Sequence, residues 1–136
     1  MESVIIAASA SYEPELWARL IRMGASRAGQ EKRLVLDAGT SRIFVTRDGS
    51  ALDEMEPEHF SRIAAAIDSP VLYSVDFTDI ELCKRLLLDV LDYPGLLVDN
   101  DHGLLVTGEE FVQILRRHAD WDWRTEAVDP ASGEIR

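Results

Sequence analysis

Hydrophobic and polar positions follow two different periods along this chain, and the change from one to the other predicts its elements. Residues 3–9 form an unbroken apolar run, the pattern of a strand covered on both faces. A helical period follows to about Met23, with Leu16, Trp17, Leu20 and Ile21 sharing its buried stripe. Ser11 is placed to cap that helix, and Pro14 is tolerated in its first turn, where N–H groups lack helical partners. Gly24 and Gly29 mark the exit. Arg33–Ala38 and Arg42–Arg47 read as strands around Gly39-Thr40-Ser41, a hairpin signal, and Asp48-Gly49-Ser50 ends the pair. Pro57 then opens a helix to about Ile67, with Phe60, Ile63, Ala64 and Ile67 at helical spacing.

After Pro70 the pattern restarts. Val71, Tyr73, Val75 and Phe77 alternate as a strand does. Thr78 with Glu81 has the spacing of a capping box, and the helix it opens carries Leu82, Cys83, Leu86, Leu87, Val90 and Leu91 on one wide face. Tyr93-Pro94-Gly95 breaks it. Leu96–Asp99 and Gly103–Val106 make a second hairpin around Asn100-Asp101-His102. Thr107 with Glu110 is a further capping box, opening a helix to about His118 with Phe111, Val112, Ile114 and Leu115 inward.

The order is therefore β-α-β-β-α, written twice, over units of about 3–68 and 70–118. Leu34-Val35-Leu36-Asp37 aligns with Leu96-Leu97-Val98-Asp99, and Ile43-Phe44-Val45-Thr46 with Leu104-Leu105-Val106-Thr107. An internal duplication about a pseudo-twofold axis and chance likeness of short apolar strands both account for this. The expected fold is α/β (α+β): one domain over 1–124, a mixed sheet with helices packed on it, and a loosely held tail at 125–136. The chain's 136 residues are the size of one domain.

Charge narrows the function. Acids outnumber bases 25 to 14, and the formal net charge is −11. The imbalance is uneven: residues 1–68 carry 11 acids and 8 bases, residues 69–136 carry 14 and 6. Between Asp76 and Glu110, 9 acids face only Lys84 and Arg85. Such a field repels phosphate backbones and anionic membranes, so direct nucleic-acid or membrane binding is not expected. It speeds encounter with a basic protein. The same charge also serves solubility alone. Cys83 is the single cysteine, which fits a reducing, cytoplasmic setting. Val4–Ala10 is too short for a membrane span.

Motifs for chemistry are sparse. Asp99-Asn100-Asp101-His102-Gly103 is rich in oxygen, but a calcium loop needs glycine at the sixth position and Leu104 stands there. A turn explains the same residues, because Asn, Asp and Gly tolerate left-handed backbone. His102 with Asp99 or Asp101 leaves a metal or acid/base site open as a second reading, and a dimeric ligand-binding regulatory domain as a third. His59 reads as a solvated histidine near a helix start, and His118 as a cation favoured by a helix C-terminus. Cys83, on an apolar helix face, reads as an inert buried thiol. No glycine-flanked serine elbow or phosphate loop is present, and no catalytic residue or cofactor is expected. In Asp120-Trp121-Asp122-Trp123-Arg124 the indoles share one side if the segment is extended. They then serve either as anchors for a partner or as a clasp folded onto the core.

Leu97-Val98-Asp99-Asn100-Asp101-His102-Gly103, Thr107-Gly108-Glu109-Glu110-Phe111-Val112 and Trp121-Asp122-Trp123-Arg124 together resemble, over residues 95–124, the small acidic α/β proteins found among bacterial immunity proteins. The resemblance implies a protein that neutralises a toxin, often a basic nuclease, by covering or distorting its active site. It carries over no binding residue. With the charge pattern it makes Asp76, Asp79, Asp99, Asn100, Asp101, His102, Asp120, Trp121, Asp122 and Trp123 the expected partner-binding residues, and a basic protein the expected partner.

Overall fold

Seven strands form one sheet in the order β2-β3-β4-β5-β1-β6-β7 in the computed structural model, which describes residues 1–29 and 32–136. The strands are β1 (Glu2–Ala8), β2 (Ser26–Arg27), β3 (Arg33–Asp37), β4 (Arg42–Arg47), β5 (Val71–Phe77), β6 (Leu97–Asp99) and β7 (Leu105–Thr107). The helices are α1 (Glu13–Arg22), α2 (Ala51–Glu54), α3 (Pro57–Ala66), α4 (Ile80–Val90) and α5 (Gly108–Arg117). A 3-10 turn, Ala10–Tyr12, precedes α1. The class is α+β, and the element order matches the sequence pattern apart from the added short β2 and α2.

Every strand pairing is antiparallel, which corrects the expected mixed sheet. The connections through α1 and α4 join strands that are not neighbours, and the one through α2 and α3 returns the chain to pair β5 antiparallel with β4. β5 and β6 run the same way but flank β1, so the crossover through α4 spans an intervening antiparallel strand.

The two β-α-β-β-α units are not arranged equivalently either. The β3–β4 hairpin meets β5 through its second strand, whereas the β6–β7 hairpin meets β1 through its first. Their closing helices also lie on opposite faces: Ile63 of α3 packs with Ala7 and Leu72, while Phe111 of α5 packs with Val4 and Val98. No twofold axis relates the units.

Strand alternation divides the core. The first face presents Val4, Ile6 and Ala8 of β1, Tyr73, Val75 and Phe77 of β5, and Ile43 and Val45 of β4. It is roofed by Leu16 and Leu20 of α1, the apolar stripe of α4, and Phe111, Ile114 and Leu115 of α5. Tyr12 sits in this layer and donates from its hydroxyl to the Val90 carbonyl, at 2.5 Å, tying the turn before α1 to the end of α4. Burial pushes the Tyr12 hydroxyl and the Cys83 thiol above their ordinary pKa values.

The second face is a smaller layer. Register aligns Leu72, Ala7 and Leu97 as one row across the sheet. The next row is Arg33, Thr46, Ser74, Ile5, Asp99 and Leu105, and the one after is Val35, Phe44, Asp76 and Ser3. Ala51 of α2 and Ile63 and Ile67 bury the first row with Leu105. The polar rows begin where that cover stops.

Several local expectations change. The N-cap of α4 is Asp79, whose carboxylate accepts from the Glu81 and Leu82 N–H groups, and not Thr78. Asp offers the stronger cap acceptor one residue nearer the helix. Thr107 and Glu110 do form their capping box. Only every fourth position of α3 is buried (His59, Ile63 and the following Ile67), so Phe60 and Ala64 face solvent. Ile21 likewise lies outward on α1 and Trp17 is half-buried. The stretch 125–136 is docked: Val128 is buried and bridges Ile135, and Arg117 and His118 contact the Ser132 and Gly133 carbonyls. No helix of the described residues is long and apolar enough to cross a membrane.

Candidate functional site

The turn between β6 and β7 is built by its own side chains. The Asn100 side-chain oxygen accepts from the His102 and Leu104 N–H groups, at 2.8 and 3.1 Å. One Asp99 oxygen accepts from the Asp101 N–H at 2.8 Å. Asp101 and Gly103 adopt positive φ, 62° and 89°, the conformation these residue types tolerate. Asn100 is 2% exposed and Asp99 6%, so both serve the turn and the layer beneath it. Asn100 is therefore turned into the loop and away from solvent, while Asp99 keeps a carboxylate edge on the cleft described below. Asp101 and His102 are left at the tip.

The other Asp99 oxygen lies 2.8 Å from Nδ1 of His59, which is also buried. His59 was expected in solvent, but α3 turns it onto the sheet. A carboxylate can only accept, so Nδ1 carries the proton. Nε2 is 3.7 Å from Glu56. Among the described residues no hydroxyl or thiol is bonded to this histidine, and the Ser3 and Ser74 hydroxyls donate to Asp76 instead. The pair fastens α3 to β6.

Around it, carboxylates from distant parts of the chain converge. A small cleft of about 70 Å³ opens where α2 meets the polar rows, over Ser3, Ile5, Ser74 and Met55. Asp48, Glu54, Asp99 and Asp101 line it. His102 lies 3.2 Å from Glu2, beside the cleft. The carboxyl of Asp101 is raised above the ordinary aspartate range, first by partial desolvation and then by Asp99, Glu2 and Glu54, against which His102 works. Among the described residues no lysine or arginine lies within ion-pair distance of Glu2, Asp48, Glu54, Asp76, Asp99 or Asp101. The charge that sequence assigned to the second half is thus shared in space with Glu2, Asp48 and Glu54 of the first. Cross-sheet register brings them together, and local sequence carries no sign of it.

The remaining candidates lie elsewhere. Asp79 caps α4. Asp120 is exposed. Asp122 binds the Arg124 guanidinium through two oxygens at 2.9 Å, which holds its carboxyl below the usual range. Arg124 also attracts Glu2 and Asp79 at longer range. Trp121 and Trp123 are 1% and 2% exposed, which corrects their expected place on a binding surface. Their rings stand 5.6 Å from Phe111 and 5.5 Å from each other, so they are the clasp of the C-terminus. The Lys84 ammonium, buried beside them, donates to the Ala119 carbonyl at 2.9 Å and fixes the approach of that segment.

Among the described residues no three histidine, cysteine or carboxylate side chains are grouped to hold a metal ion. The chain matches no family model, no curated protein and no solved structure. What the site can do is therefore read from its own geometry: carboxylates paired to no described lysine or arginine, with two serines, over a narrow apolar floor attract positive charge.

Proposed function

We propose that this chain is an acidic protein-binding module that neutralises or escorts a basic protein partner in the cytoplasm, in the manner of a bacterial immunity protein. The supporting observation is the convergence of Asp48, Glu54, Asp99 and Asp101 on one cleft, with Glu2 and Asp76 beside it and no lysine or arginine of the described chain paired to them. Mutual repulsion among these carboxylates is relieved when a partner supplies the missing cation. The field steers encounter, and a lysine or arginine entering the cleft lays its methylene stem on Ile5 and Met55. The mechanism is steric and electrostatic.

The test is affinity capture from the native source with wild type and with a Glu54→Lys/Asp101→Asn variant, followed by binding to the captured protein at rising salt. Both positions are exposed, so the fold tolerates the change. The expected outcome is a specific basic partner, held at low salt, weakened as salt screens the contact, and lost by the variant. Salt-independent binding, or equal capture by the variant, overturns the reading.

A further inference from the structure

The opposite border of the sheet has the opposite charge. Seven of the chain's 14 lysines and arginines fall between Arg19 and Arg47. On the first face, at the β2 border, some of them surround a cavity of about 260 Å³. Its walls are apolar: Trp17 and Ile21 from α1, Leu34 from β3. Register sets Arg27 directly across from Leu34, and residues so opposed project to the same side of a sheet. Lys32 enters from just before β3, with its ammonium 3.1 Å from Glu13. Arg33 also borders the cavity, but its guanidinium lies over the Phe44 ring, 5.7 Å from the centroid, on the other face. Arg27 and Lys32 are thus the cations that face the space.

Glu13 is the one carboxylate among the described lining residues, and it is already engaged. It accepts from Lys32, from Arg47 at 3.4 Å and from the Tyr73 hydroxyl at 3.1 Å. Burial alone would raise its carboxyl, but these donors outweigh it and hold Glu13 below the ordinary range. With Arg27, three cations gather near one carboxylate, so the cavity keeps a surplus of positive charge. An ammonium has three N–H donors, and Lys32 can hold Glu13 while facing a second anion.

The apolar wall is equally uncommitted. Ile21 is 58% exposed, one of three large apolar side chains so placed among the described residues. Trp17 is half-buried, with its ring edge-on to Tyr73 at 5.8 Å, which keeps the indole upright beside Ile21. Cavities for drug-sized ligands start at roughly 300 Å³, so this one suits a single ring with a head group.

We infer that this cavity binds a small planar organic anion, with one aromatic ring against Trp17, Ile21 and Leu34 and a phosphate or carboxylate held by Arg27 and Lys32. The site lies on the other face and border of the sheet from the acidic cleft, and it is independent of the partner proposed for that cleft.

Amide and indole N–H spectra of the full chain, titrated separately with phenyl phosphate, benzoate, inorganic phosphate and benzyl alcohol, test this. Phenyl phosphate or benzoate is expected to shift the Trp17 indole and the Arg27 and Leu34 amides saturably. Inorganic phosphate and benzyl alcohol, each carrying half of the recognition, are expected to bind at least about tenfold more weakly. Which of the two aromatic anions binds tighter identifies the head group. Arg27→Gln/Lys32→Gln is expected to weaken the better ligand about tenfold. Ile21→Ser, at an exposed position that leaves the core intact, is expected to weaken it by a smaller factor. Absence of saturable shifts at these residues, inorganic phosphate binding as well as phenyl phosphate, or unchanged binding by both variants overturns the inference.

Discussion

One sheet here carries two very different faces. On the first, three helices and two indoles close a single apolar layer that runs from Leu34 to Val128. On the second, two helices bury only a small cluster around Ile63, and within about 14 Å along the strands the rows pass from Leu72-Ala7-Leu97 to Ser74-Asp99 to Asp76-Ser3. The difference teaches where polar groups can persist. A fully roofed face admits them only as isolated exceptions, the Tyr12 hydroxyl bonded to a carbonyl and the Trp123 indole N–H without a partner among the described residues. A half-roofed face lets them gather at the edge of the roof, where water still reaches, and the carboxylate cleft stands there.

The largest test of this contrast removes volume from the deep layer. Phe111→Ala, which strips the ring between Trp121 and Trp123, is expected to cost about 3–5 kcal/mol in chemical denaturation, with one cooperative transition. Ile63→Ala in the thin layer is expected to cost less, about 2–3 kcal/mol, because surrounding groups can collapse toward the site. Its amide-exchange signature sharpens the comparison: α3 opens at lower free energy than α4, since only one stripe of α3 is buried. Equal protection of the two helices would break it. Next comes Asp99→Asn, which weakens the charge-assisted bond to His59 and is expected to cost about 1.5–2 kcal/mol; a double-mutant cycle with His59→Ala isolates the pair.

The smallest effect has the opposite sign. The carboxyl of Asp101 is raised in the folded chain, so the fold loses stability as pH climbs from the ordinary aspartate value through the raised one. That penalty is absent in acid and grows as pH rises through this window. Asp101→Asn is therefore expected to stabilise the protein at pH 7 by well under about 1 kcal/mol, since the position is solvent-screened, with no gain below the carboxylate range. Thermal melts across pH check it. Asn also tolerates the positive φ there, so backbone strain does not confuse the result. A substitution that stabilises the chain while weakening partner binding is the mark of a surface kept for function.

Elements governed by local sequence were legible. The Thr107 and Glu110 capping box, the stripe of α4 and the turn at Asn100-Asp101-His102-Gly103 each depend on residues a few positions apart. What depends on distant pairing was not. Leucine, isoleucine and phenylalanine at helical spacing say that a helix has an apolar side, but not how broad a surface it meets. Phe60 and Ile21 were thus expected inward, while the narrow contacts of α3 and α1 leave them out. His59 and Asp99 are 40 residues apart, and nothing at either position announces the other. Glu2, Asp48 and Glu54 join the site only through strand order, which a charge count along the chain cannot supply. The indoles were ambiguous because amphipathic aromatics suit both a core and an interface, and the choice was made by Phe77 and Phe111 waiting beneath them.

The β7 border has a consequence of its own. Antiparallel pairing turns Leu104 and Gly108 toward β6, so Leu105 and Thr107 direct their backbone groups outward. Arg62 donates to the Leu105 carbonyl and the Glu110 carboxylate accepts from the Thr107 N–H, which leaves an incoming strand little to pair with. Joining of sheets between molecules is thus confined to the short β2 side. Two copies pairing at β2 would leave these covered β7 margins outward, an arrangement that favours a closed pair over an extended one.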